Sequence, residues 1–102
     1  MKVYLVRERK NINAVGEYDM ETKALTVKKG SRVSEGIAYT EKFRGAKTIE
    51  KDRAGTVKDH IVTKDISFKS ASTAANFVTG GSTNGLMAWK ADNGLTIKEV
   101  IA

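Results

Sequence analysis

The segment from Ser70 to Gly81 constrains the fold of this 102-residue chain more than any other, because it carries the signals for both ends of a helix. The Ser70 hydroxyl can accept from the first-turn N–H groups, and Ala71, Ala74, Ala75 and Val78 make one apolar stripe. Gly80 or Gly81 can take the left-handed position that ends a helix. The spacing predicts a helix over about residues 71–79.

Most of the remaining signals are for strands. Val3 to Val6 is a short β-prone run that ends where Arg7 to Asn13 turn polar. A β-hairpin is expected from about Val15 to Lys28, turning at Asp19-Met20-Glu21-Thr22. Gly36 to Tyr39 suggests a short edge segment, and Phe43, Ala46, Ile49 and Ala54 recur at the spacing of a short charged helix between Thr40 and Arg53. Gly55 breaks that helix. Val57 and the run from Ile61 to Phe68 read as strands, with Ile66 and Phe68 on one face. Asn84-Gly85 reads as a tight turn into a strand from Leu86 to Lys90 that contains Trp89, followed by a turn at Asp92-Asn93-Gly94. Thr96-Ile97-Lys98-Glu99 has capping-box spacing, so the last residues read as one helical turn or an edge strand. The expected fold is α+β: a single domain over 1–102 with a small, mostly antiparallel sheet, one well-marked helix and one or two short ones.

Composition matters chiefly through charge. Eighteen Lys and Arg against twelve Asp and Glu leave +6, which raises the attraction for polyanions. Residues 1–34 hold eight of the basic groups and four of the acidic ones, so the excess gathers on Lys2, Arg7, Arg9, Lys10, Lys23, Lys28, Lys29 and Arg32. There is no cysteine, which removes disulfides, thiolate chemistry and cysteine-held zinc. The opening Met-Lys-Val-Tyr-Leu-Val-Arg is too short an apolar run for a signal peptide, and no segment reads as a membrane span, so a cytoplasmic protein without membrane contact is expected.

Catalytic chemistry finds little support. His60 beside Asp59, with Asp65 nearby in sequence, can be an acid or base, yet one local His-Asp pair names no nucleophile, and a surface or strand-end residue is the favoured reading. The acids lack the spacing of a calcium loop. Gly80 to Gly85 looks like a phosphate-cradling loop but follows a helix and lacks the Gly-Lys-Ser/Thr ending, which favours a helix terminus running into a turn. No enzyme, cofactor or metal is therefore expected.

Anion binding is better supported. Lys28, Lys29, Ser31 and Arg32 form a basic turn suited to phosphates or, equally, to a solvated hairpin end. Lys69, Ser70 and Ser72 stand at a helix start, where hydroxyls and N–H groups can hold a phosphate, although capping by Ser70 is the simpler reading. Trp89 and Lys90 can stack a base and meet a phosphate, while core packing is favoured for the single tryptophan.

Lys29-Gly30-Ser31, then Phe68-Lys69-Ser70-Ala71-Ser72-Thr73-Ala74-Ala75, Gly80, Asn84-Gly85, Trp89-Lys90 and Gly94 occur in an order and spacing that resemble a bacterial and phage domain of unknown function. That domain is often found C-terminal to GIY-YIG nuclease domains, and the pattern is also similar to the restriction-enzyme and adenine-methylase-associated domain. The resemblance covers about residues 14–100. Ala71 replaces the family's usual proline, and Leu86 its usual aromatic, which removes a stacking group there. No nuclease domain lies in these residues, so the resemblance implies an accessory module, with a nuclease or methylase as partner protein. With the basic charge it leads to one expectation, a non-catalytic module that binds nucleic acid, DNA before RNA. Its candidate contacts are Arg7, Arg9, Lys10, Lys28, Lys29, Ser31, Arg32, Lys69, Ser70, Ser72 and Lys90. The alternative is a protein-interaction or structural module without nucleic-acid affinity.

Overall fold

Val3 and Leu5 are buried while Lys2 and Val6 are exposed, the two-residue period of a strand with one face in a core. In the computed structural model, which describes residues 1–39 and 45–102, this run is β1 (Lys2–Arg7). A 3-10 turn over Glu8–Lys10 closes on Asn11 at φ 56°. The chain returns antiparallel as β2 (Ile12–Tyr18), with Arg7 opposite Ile12 and Lys2 opposite Glu17. The polar stretch after Val6 thus hides a strand start, for Ile12 is 1% exposed. Asp19 then accepts from the N–H groups of Glu21 and Thr22, and β3 (Leu25–Val27) pairs with the end of β2, giving the hairpin expected between Val15 and Lys28.

Two expectations change in the middle of the chain. Gly36–Tyr39 is not a strand: the Ser34 hydroxyl donates to Gly36 O and Ala38 N–H to Gly80 O, so these residues are tied to a helix end instead of a sheet edge. The expected helix is described as α1 (Ala46–Arg53), and its start, with Phe43, lies outside the described residues. The Ile61–Phe68 run divides. β4 (Val57–Lys58) and β5 (Ile61–Val62) form a separate two-stranded sheet, while β6 (Ile66–Phe68) pairs with β3.

The well-marked helix is α2 (Ala71–Thr79), with Ser70 Oγ accepting from Thr73 N–H at 3.1 Å and Gly80 closing it at φ 78°. The strand expected from Leu86 to Lys90 is instead mostly α3 (Gly85–Ala88), which Asn84 caps by accepting from Leu86 N–H at 3.2 Å. Gly85 serves close approach and not a hairpin turn, since a Cβ there would lie 2.1 Å from the Ala71 carbonyl carbon. Only Lys90–Ala91 is strand, β7, and it pairs with β1. At the C-terminus the capping box forms, making α4 (Ile97–Ile101) a helix rather than an edge strand.

The main sheet has the order β6-β3-β2-β1-β7, all neighbours antiparallel, so the fold is α+β. α2 lies against β2, β3 and β6, α3 packs on α2, α4 on α3, and α1 on α2. Val3, Leu5, Leu25 and Val27 from the sheet meet Ala74, Ala75, Phe77 and Val78 from α2, with Trp89 fully buried in the same core. Among the described residues no helix is long and apolar enough to cross a membrane.

Candidate nucleic-acid interface

Because the helices pack on one face of the main sheet, its register decides what the other face displays. Lys90 stands opposite Tyr4, Tyr4 opposite Val15, and Lys28 donates its backbone N–H to Val15 O at 2.8 Å. In the adjoining row Val6 faces Asn13, which bridges to Arg32. On the opposite side of Tyr4 run Lys2, Glu17, Thr26 and Ser67. Tyr4 and Val15 are half-buried and Val6 is 52% exposed. The result is a small apolar centre bordered by Lys2, Lys28, Arg32 and Lys90.

The acids on this face are already answered from within the protein. Glu17 pairs with the N-terminal ammonium at 2.9 Å. Asp65 accepts from Lys29 N–H at 2.8 Å and from Lys28 Nζ at 2.9 Å. The Lys29 N–H first, and then the Lys28 ammonium, hold the Asp65 carboxyl below its ordinary range. These are the two ion pairs among the described residues.

At the hairpin end, Arg7, Arg9 and Lys10 are exposed beside the segment that follows α2. Arg9 and Lys10 line an open cleft of about 500 Å³ with Ser34–Ala38 and Thr79–Gly81. Arg7 borders a second of about 310 Å³ with Ser82, Thr83, Asn84 and Met87. Glu35 lies in the first cleft and Glu8 in the 3-10 turn, so the charge there is mixed though cationic in balance.

The sequence-derived candidates therefore sort by place. Arg7, Arg9 and Lys10 stand at the β1–β2 turn, on the side of the segment that follows α2, while Lys28, Arg32 and Lys90 gather on the open face. Lys29 is exposed beside them, its N–H held by Asp65. Lys69 is exposed after β6, whose Phe68 pairs with Leu25 at the end of the sheet away from the β1–β2 turn. Ser31 leaves the set: it is 2% exposed, accepting from Val15 N–H at 3.0 Å and donating to Val15 O. Ser70 and Ser72 belong to the helical layer, where Ser70 caps α2 and Ser72 Oγ accepts from Gly85 N–H at 3.0 Å. Trp89 is core, its Nε1 donating to Ala71 O at 3.1 Å, while Lys90, one residue on, is exposed. His60 occupies the β4–β5 turn beside Asp59, and no group of three or more His, Asp or Glu suited to a metal occurs among the described residues.

Sequence reasoning missed Tyr4 and Val6, read only as strand formers, and Lys2 as a member of the face. Their alternation with Val3 and Leu5 was the available signal. It also missed Arg53, whose guanidinium donates to Phe77 O at 2.7 Å and Ser34 O at 3.1 Å and thereby caps the carbonyl end of α2. Burial lowers its pKa.

A family model described as a domain of unknown function, DUF4357, matches residues 5–101. The chain belongs to that family. The match begins nine residues before the resemblance read from the motifs, so the second half of β1, Leu5–Arg7, lies within the DUF4357 domain. No curated protein and no solved structure matches the chain.

Proposed function

We propose that this DUF4357 domain is a non-catalytic module that docks on nucleic acid, DNA before RNA, through the open sheet face and its hairpin end. The observation that carries the reading is the convergence of Lys2, Arg32 and Lys90 on one sheet face whose acids are internally paired, with Arg7, Arg9 and Lys10 exposed at the adjoining β1–β2 turn. Phosphates are the matching partner, because Lys and Arg release the counterions condensed on them. Lys28 is held in reserve by Asp65. An accessory place beside a nuclease or methylase in the cytoplasm is part of the proposal, motivated by the resemblance in the motifs.

Fluorescence anisotropy with labelled DNA over a range of salt tests it. If about four phosphates are engaged, log affinity falls with log salt at a slope of roughly −3 to −4 on duplex and about −3 on a single strand. The combined Arg7→Glu, Arg9→Glu, Lys10→Glu and Arg32→Glu variant loses at least about tenfold in affinity at low salt. No binding at low salt, or binding indifferent to salt, overturns the reading and puts a protein-interaction module in its place.

A further inference from the structure

We infer that the open sheet face takes a single-stranded nucleic acid, with an unstacked base lying on Tyr4; this rests on the nucleic-acid reading and specifies its ligand. A duplex offers phosphates and groove edges, while the faces of its bases stay stacked out of reach. An interface built for a duplex backbone needs cations and polar donors and gains nothing from an exposed apolar centre. Here the centre is apolar: Tyr4 and Val15 stand opposite each other, and Val6, 52% exposed, is two residues along β1. Lys90 flanks Tyr4 directly across β7, and Arg32 flanks the Val6–Asn13 pair, so cations lie one strand from the apolar groups. An aromatic platform with adjoining positive charge is the arrangement by which single strands are held, bases on the rings and phosphates on the rim.

Topology points the same way. The groove of a duplex admits a helix or a projecting two-stranded ribbon. On this face Lys2 and Lys90 are carried by strands and Arg32 by a bridge to Asn13, and β1 and β2 lie inside a five-stranded sheet between β3 and β7. The Lys2 ammonium sits 5.6 Å from the centre of the Tyr4 ring. That contact shows the ring face accepting a cation, and Lys2 is placed to move to a phosphate when a base takes the ring.

The test is anisotropy with four labelled probes of one sequence, each of about 12 nucleotides, within the usual range of single-strand site sizes. They are single-stranded DNA, single-stranded RNA, duplex DNA and an abasic single strand. The proteins are the wild type, Tyr4→Phe and Tyr4→Leu, each checked for unchanged thermal melting. The wild type should bind a single strand, DNA or RNA, more tightly than the duplex or the abasic strand. Tyr4→Leu should weaken single-strand binding by roughly five- to 150-fold and leave duplex and abasic binding unchanged, while Tyr4→Phe retains wild-type affinity. Duplex binding as tight as single-strand binding, or indifference of the single strand to Tyr4→Leu, overturns this inference and leaves the nucleic-acid reading standing. Failure of every probe to bind at low salt overturns both.

Discussion

Asp65 is where single-residue chemistry bears most directly on the proposed interface. Its carboxylate holds Lys28 and the Lys29 N–H. Asp65→Asn removes that negative charge and releases Lys28, so nucleic-acid binding should tighten and the salt slope should steepen by about one. Unchanged binding would mean that Lys28 is not part of the surface. The same carboxylate has a signature in stability. Its folded pKa is lowered from 3.8, so its contribution is present above that value and is lost as pH falls through it toward the folded pKa. Acid titration of thermal stability should therefore be shallower below about pH 4 in Asp65→Asn than in the wild type. Arg53 acts on the fold instead. Arg53→Ala leaves the carbonyls of Ser34, Phe77 and Val78 without their charged donor and should cost roughly 2–3 kcal/mol, read by urea denaturation. Neither role could be read from the sequence, because both depend on partners distant along the chain, at separations of 36 and 37 residues for Asp65 and 19 to 25 for Arg53.

Among the elements, local signals were legible and tertiary overrides were not. α2 needed only Ser70, its alanine stripe and Gly80, and it formed as the sequence implied. Ser70→Ala should lower stability by about 1 kcal/mol through the lost Thr73 cap, without changing nucleic-acid affinity, since α2 lies on the other face of the sheet. Loss of affinity in a folded Ser70→Ala protein would restore the helix start as a binding site. Asn84-Gly85 misled because the same dipeptide that makes hairpin turns here caps α3 and allows it to touch α2. Gly85→Ala should therefore be strongly destabilising, a loss visible in thermal melting. The β4–β5 turn presents the opposite case. Asp59 and His60 both hold positive φ, at 52° and 65°, where Asn-Gly is the natural pair. The double change Asp59→Asn, His60→Gly should raise stability by roughly 1 kcal/mol.

At the scale of the whole molecule, the sequence disclosed the fold class and the basic excess but not how that excess is arranged. Lys2 is separated from Arg32 by thirty residues and from Lys90 by eighty-eight. Only the pairing of β1 with both β2 and β7, together with the Asn13–Arg32 bridge, makes them neighbours, and strand partners are not encoded in the local pattern. Trp89 completes the core, as favoured for the single tryptophan, while its neighbour Lys90 stays exposed. The central claim is that nucleic acid lies on the open sheet face. The most direct measurement is an amide chemical-shift map of the ¹⁵N-labelled domain titrated with a short DNA strand. Shifts should concentrate on Lys2, Tyr4, Val6, Asn13, Val15, Arg32 and Lys90, with α2 unmoved. Shifts confined to the Ser70–Asn84 side would contradict the account and place the contact on the helical layer.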